Sequence, residues 1–253
     1  MSKTCLIYQP CGFGDLMWMQ KIAHHFRDQD YEIVWPVVHE YYWLKDYIPW
    51  INWVSWNDND SKLTHLDKLP DSVTFPFKEK YIYTAPCEFT DEFVYINGWL
   101  PPQGLVMQFK YESARIDWLN WQDYVIFNRN KEKENSLFYD VLNLKDGQQY
   151  CFINRNYQMR PEILHYPYIS NDPAVYKMPV VEMGISPDYT LFDWLKVIEN
   201  AKSIHMIETS LNYIMESPLV RNNFTTDLNL YSRHFNFWQV RGLFNLPWRY
   251  MHP

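Results

Sequence analysis

The sequence predicts an α/β protein built as two halves, each alternating strands with helices. Three stretches predict it. The first is Thr4 to Tyr8 (TCLIY), which runs straight into Gln9-Pro10-Cys11-Gly12-Phe13-Gly14-Asp15. Beyond that turn, Leu16, Met19, Ile22, Ala23 and Phe26 recur at the spacing of one helix face, and Tyr31 to Val38 (YEIVWPVV) reads as the next strand. Strand, glycine-containing turn, helix, strand is a βαβ unit. The second is Tyr150 to Asn154 (YCFIN), a buried-strand pattern that opens a new alternation. The third is Ser203 to Ile207 (SIHMI) followed by Glu208-Thr209-Ser210, with Leu211, Ile214 and Met215 again at helical spacing. Thr and Ser at that junction are suited to cap the first free N–H groups of a helix, and such a start also attracts anions.

Composition sets the class. The chain has 253 residues, enough for one large or two small domains, with 47% hydrophobic and 21% charged residues. Aromatic residues reach 19%, including 12 Trp and 20 Tyr. Rings in this number build a core, or offer flat platforms for sugars and bases. The formal net charge of −7 argues against a strong nonspecific hold on a phosphate backbone, so nucleic acid is not the expected partner. The four cysteines, at positions 5, 11, 87 and 151, form no CxxC pair. They predict no zinc site and fit reduced thiols of a cytoplasmic protein. The N-terminus shows no signal-peptide pattern, and no apolar stretch of about 20 residues predicts a membrane span. There is no Walker loop and no G-x-S-x-G elbow.

Between these anchors the elements follow in order. His39 to Tyr47 predicts a short helix, Ile51 to Trp56 a strand, and Lys80 to Thr84 another. Asn57-Asp58-Asn59-Asp60 holds a D-x-D pattern, read as a polar loop rather than a metal site. Cys87 to Gly104, with acids, rings and Pro101-Pro102, reads as an irregular loop. Tyr111 to Val125 reads as a helix with Ile116, Trp118 and Leu119 inward, and Lys131 to Leu144 as a second helix ending near Asp146-Gly147. The boundary is therefore expected there, giving residues 1–146 and 147–253. In the second half Met178 to Met183 (MPVVEM) is a strand, Thr190 to Ala201 a helix, and Leu228 to Tyr231 a last short strand. The aromatic tail from Phe235 to Pro253 reads as irregular and free to return to the first half.

Several residues sit where chemistry is expected. Gly12 and Gly14 allow backbone to approach a ligand, but Met17 stands where the dinucleotide fingerprint has its third glycine. Asp15 lies at the helix start, as a cap or as a general base. Asn154 and Arg155 end a strand, where ligands bind in open α/β sheets, and Arg155 or Arg160 fits a phosphate clamp or a plain surface arginine. His24 and His25 are adjacent, so their side chains diverge by about 100° on a helix and do not share a metal.

The Gly12–Asp15 turn and the Glu208-Thr209-Ser210 junction together resemble the GT-B glycosyltransferases, nearest to the ADP-heptose:lipopolysaccharide heptosyltransferase-like family. The likeness covers roughly 23 residues at the front and about 30 near the back. Glu208 stands where that family often has Asp, and Leu211, Asn212 and Tyr213 replace its usual Gly and His. The resemblance implies two Rossmann-like lobes with a cleft between them, an acceptor-side lobe first and a nucleotide-sugar lobe second. It implies transfer of a sugar from a nucleotide-diphosphate donor (UDP-, GDP- or ADP-linked) to a hydroxyl of a glycan or other acceptor, with no metal and no other cofactor. By resemblance Asp15 is the general base and Gly12 and Gly14 keep its turn open. Thr209 and Ser210 hold the donor diphosphate, and Glu208 faces the ribose or the phosphate-bound cleft. Met183, Gly184 and Ile185 lie beside the nucleobase, with Asn154 and Arg155 across from the diphosphate. Two alternatives stand beside this reading. One is a catalytically degenerate glycan- or partner-binding module. The other is a DNA-base glycosyltransferase with a basic groove of Arg115, Arg129, Arg155 and Arg160.

Overall fold

The structure, a computed structural model, describes residues 3–56, 82–87, 90–98, 106–159, 162–224, 226–233 and 242–251. The chain forms two compact units, Met1–Asn128 and Arg129–Pro253. The expected boundary at 146/147 lies later than this. The segment from Lys131 packs with the second unit because Arg129 is ion-paired to both Glu134 and Glu199.

The first unit is a five-stranded sheet of β1 (Lys3–Tyr8), β2 (Glu32–Val38), β3 (Asn52–Trp56), β4 (Ile82–Cys87) and β5 (Thr90–Asn97), in the order β3-β2-β1-β5-β4. All neighbours are parallel except the β4–β5 edge pair. β5 falls within the Cys87–Gly104 stretch that the sequence predicts as loop, and corrects that expectation. Val94, Tyr95 and Ile96 are buried, and β5 runs beside β1 from Lys3↔Glu92 to Tyr8↔Asn97. A strand covered on both faces carries no alternation to mark it, only a short apolar run.

The expected first helix forms in two pieces, Phe13–Trp18 and Gln20–Arg27, and Leu16, Met19, Ile22, Ala23 and Phe26 are all buried. The helix predicted over 111–125 is instead Val106–Ser113, followed by turns and a 3₁₀ segment at Trp121–Tyr124. Arg115 and Asn120 have φ of 57° and 56°, a left-handed backbone that no α-helix can hold. Lys21 fixes this turn, its Nζ donating to the Leu119 carbonyl at 2.6 Å and to Asp117 at 3.1 Å. Leu119, expected inward, is 57% exposed, and Trp121 and Val125 are buried instead.

Many of the rings are core. Trp18 packs against Tyr111 at 5.1 Å and Trp121 at 4.7 Å, and the Tyr111 hydroxyl donates to the Trp18 carbonyl. Trp35 stacks on Trp53. His24 is buried as well, 7% exposed, with its ring 4.4 Å from Trp50 and its Nε2 without a hydrogen-bond partner among the described residues. Burial, aided by the nearby Arg27 guanidinium, lowers its pKa from the ordinary 6.5 to about 4. Between these two values the unfolded chain binds a proton that the folded one refuses. The stability from a neutral His24 is therefore complete above pH 6.5 and is lost as pH falls toward 4. His24→Phe is expected to raise stability at pH 5 by about 2 kcal/mol relative to the parent and to flatten this acid slope. Urea melts from pH 4 to 7 check it; parallel slopes for parent and variant would contradict it.

The second unit is a sheet of β6 (Cys151–Asn154), β9 (Val180–Glu182), β10 (Ser203–Ile207), β11 (Asp227–Tyr231) and β12 (Arg249–Met251), ordered β12-β11-β10-β6-β9 and wholly parallel. A separate hairpin of β7 (Asn156–Met159) and β8 (Glu162–His165), not expected from the sequence, follows β6. The helix from Lys131 forms as α over Lys131–Asn135 and π over Ser136–Val141. Leu195 and Ile198 are buried on the helix Leu195–Glu199, and Leu211, Ile214 and Met215 on the helix Ser210–Met215.

The tail does not read as expected either. Its described part, 242–251, completes the second sheet as β12. Buried Glu216 draws it in. Its carboxylate accepts from the backbone N–H of Asn245 at 2.9 Å and of Leu246 at 3.0 Å, and from Trp248 Nε1 at 3.1 Å. Among the described residues no helix is long and apolar enough to cross a membrane.

Candidate active site

Each sheet carries its expected site residues where the strand order reverses. In the first unit the chain lays β2 and β3 on one side of β1 and then returns to add β5 on the other. In the second it adds β9 on one side of β6 and β10 on the other. The crevice outside the carboxyl ends of parallel strands, at such a switch point, is where open α/β sheets bind ligands.

At the first switch point β1 ends at Tyr8, and Gln9 to Gly12 lead into the helix Phe13–Trp18. The turn is tied to β2 by the Val38 N–H donating to the Pro10 carbonyl at 2.9 Å and Trp35 Nε1 donating to that of Gln9 at 3.1 Å. Of the two glycines, Gly12 has left-handed backbone, with φ +82°, whereas Gly14 is simply the second residue of the helix. A Cβ on Gly12 would stand 2.3 Å from Asp15 Oδ2. The glycine thus lets the carboxylate fold back over the turn. Asp15 sits in the first helical turn with its side chain 28% exposed. It caps nothing: the residue at the cap position is Gly12.

Lys110, which the sequence reading missed, completes this site. It comes from the helix Val106–Ser113, is 7% exposed, and places Nζ 3.0 Å from Asp15 Oδ1. The same ammonium donates to Gln9 Oε1 at 2.5 Å and to the Gly98 carbonyl, just past β5, at 2.6 Å. A lysine inside an apolar, aromatic run (VMQFKYES) was the available clue.

At the second switch point the carboxyl ends of four neighbouring parallel strands share one edge. Asn154, at the end of β6, reaches Thr209 Oγ1 at 3.5 Å through Nδ2. Thr209 caps the helix Ser210–Met215 in a capping box with Asn212, whose Oδ1 accepts from the Thr209 N–H at 2.8 Å. Glu208, 8% exposed, has the Arg233 guanidinium beside it at 3.6 Å, and Arg233 Nε has no hydrogen-bond partner. Met183 is buried after β9, with Gly184 and Ile185 exposed beside it; Asn156 Nδ2 donates to the Met183 carbonyl at 3.3 Å. Asn154, Met183 to Ile185 and Glu208 to Ser210 are thus brought to one edge of one sheet.

The arginines differ from expectation. Arg155 is gripped by Glu182 at the end of β9, through Nε at 2.8 Å and a terminal nitrogen at 2.7 Å. It therefore ties β6 to β9, and Arg233 is the guanidinium beside Glu208. The basic groove imagined for a DNA substrate loses two of its four members, since Arg129 and Arg155 are both neutralised by carboxylates. Arg160 and the Asn57–Asp60 stretch lie outside the described residues. Among the described residues no group of three or more His, Cys, Asp or Glu is placed to hold a metal ion.

No protein-family model matches the sequence, and no curated protein sequence matches it. The fold does have solved counterparts. A glycosyl transferase family 9 structure from Veillonella parvula superposes with a TM-score of 0.58 at 9% identity, over 99% of this chain and 86% of that one. The ADP-heptose lipopolysaccharide heptosyltransferase II of E. coli gives 0.58 at 12% identity, over 98% and 90%. With two α/β units, each built on a mainly parallel sheet, the chain has the GT-B-like fold of these glycosyltransferases.

Proposed function

We propose that this protein is a glycosyltransferase that moves a sugar from a nucleotide-diphosphate donor to an acceptor hydroxyl. The observation that carries the reading is the position of the polar residues: both sheets of a GT-B-like fold place theirs at the switch point, a carboxylate in the first and a hydroxyl-and-amide set in the second. In this reading the second unit binds the donor. Asn154, Thr209 and Ser210 meet the diphosphate, Glu208 meets the ribose or the phosphate-side polar groups, and Met183 to Ile185 border the nucleobase. Arg233 takes the role that the sequence reading gave to Arg155. The leaving diphosphate gains negative charge as the glycosidic bond breaks. Fixed hydroxyl, N–H and guanidinium donors stabilise that charge without requiring a metal, each by about 3 kcal/mol when well aimed. Asp15 takes the proton of the acceptor hydroxyl, which needs an approach of about 3 Å.

Calorimetric titration with ADP-, GDP- and UDP-sugars tests the donor half. One of them is expected to bind, Ser210→Ala to weaken it several-fold, and Arg233→Met by about tenfold, the scale of one charge-assisted hydrogen bond. If none of the three nucleotide classes bound the parent protein at millimolar concentration, the reading would be wrong.

A further inference from the structure

We infer that Lys110 is a positioning residue for sugar transfer, holding the Asp15 carboxylate in the orientation from which it takes the acceptor proton. The inference rests on the proposed transferase reading and adds to it a residue that lies about a hundred positions away in the chain. An ammonium group has three N–H donors and no acceptor. Lys110 is buried, and its Nζ meets three acceptors from three segments: Gln9 Oε1 after β1, the Gly98 carbonyl after β5, and Asp15 Oδ1 on the helix. A buried ammonium without partners is costly, so its position is fixed by the set as a whole.

Each partner is itself held. Gln9 Nε2 donates to the Cys11 carbonyl at 2.5 Å, which fixes which end of the amide faces Lys110. A Cβ on Gly98 would meet the Met19 thioether at 2.7 Å and Gln9 Oε1 at 3.0 Å, so glycine there lets β5 end close against the turn. Asp15 is thus confined on both oxygens, Oδ1 toward Lys110 and Oδ2 against Gly12, while the side chain stays 28% exposed. A carboxylate fixed in this way, yet open to solvent, is arranged to meet one hydroxyl in one direction. A lysine needed for packing alone would not have to end on the one acidic group of the turn.

The test is a double-mutant cycle on the full-length protein, using the donor found by titration and following sugar transfer. Lys110→Met keeps the stem length and removes the charge. It is expected to lower kcat about 100-fold, with the donor dissociation constant within twofold of the parent. In the Asp15→Asn background the same change is expected to cost less than threefold more, because the group it acts through is already gone. Near-multiplicative losses would show that Lys110 acts independently of Asp15 and would overturn the inference, as would a Lys110→Met enzyme with parental kcat. Should Lys110→Met fail to fold by circular dichroism, Lys110→Ala assayed with ethylammonium replaces it; at least tenfold recovery of kcat supports the role, and none overturns it. A parent protein that transfers no sugar would instead remove the transferase reading, and this inference with it, an outcome distinct from an active parent with an indifferent Lys110.

Discussion

Replacing Asp15 by Asn is expected to lower kcat for sugar transfer about 1000-fold and to leave donor affinity within twofold. General-base catalysis by a positioned side chain contributes roughly 10²- to 10⁴-fold, and an amide cannot accept the proton. The change is close to isosteric. The amide oxygen can still accept from Lys110, and the amide nitrogen replaces Oδ2 over Gly12, where the missing Cβ leaves room. The turn is therefore expected to persist, at the cost of the ion pair. That pair is only partly shielded, because the Asp15 side chain is 28% exposed, so the loss in stability is expected to be about 1 kcal/mol. Steady-state kinetics beside a thermal melt separates the two effects. A variant retaining more than a tenth of parental kcat would mean that another group takes the proton.

The part of this site that the sequence revealed is the part that is local. Gly12 and Asp15 are three residues apart on one turn, and Glu208, Thr209 and Ser210 are consecutive, so a strand pattern on one side and a helix pattern on the other locate them. Lys110 is different. Its role comes from β5 lying beside β1, and that pairing is not written in either strand alone. Missing β5 meant missing the reason why the carbonyl of Gly98 and the side chain of Gln9 share one ammonium. The ion pair of Arg155 escaped the sequence for a related reason. Position at a strand end was visible, but its partner Glu182 comes from the neighbouring strand end, 27 residues on, and only the sheet order makes the two adjacent. The helix over 111–125 gave way to a long-range contact: Arg115 and Asn120 hold left-handed backbone, and Lys21 bonds the Leu119 carbonyl of the turn between them. Helix periodicity in the sequence says nothing of such tertiary override.

Arg129→Met is expected to destabilise the second unit by about 3–5 kcal/mol, the range for leaving a buried charge without its partner. Arg129 opens that unit and grips two carboxylates at once. Its Nε and one terminal nitrogen donate to Glu134, the former at 2.7 Å, and its terminal nitrogens donate to Glu199 at 2.6 and 2.7 Å. Burial works against the guanidinium charge, but the hydrogen bonds and charges of Glu134 and Glu199 outweigh it and raise its pKa. Glu134 is fully buried, and without Arg129 it keeps, among the described residues, only Lys131 as a cationic partner, at 3.3 Å and largely exposed. Glu199 is less dependent, because Asn223 also donates to it at 2.7 Å. It follows that the damage lies mostly in the orphaned Glu134, and that Arg129→Met/Glu134→Leu is expected to recover most of the loss, since an apolar pair avoids the desolvation of two ions. Urea unfolding monitored by tryptophan fluorescence, with Trp194 and Trp248 among the reporters in the second unit, measures both variants. A single variant within 1 kcal/mol of the parent would show the network to be dispensable. The same variants also report on function. Glu199 ends the helix Leu195–Glu199, which leads directly into β10 and so to Glu208, Thr209 and Ser210. If Arg129 holds that helix in place, the single variant populates the binding-competent arrangement less and binds the donor more weakly, and the double variant regains affinity along with stability.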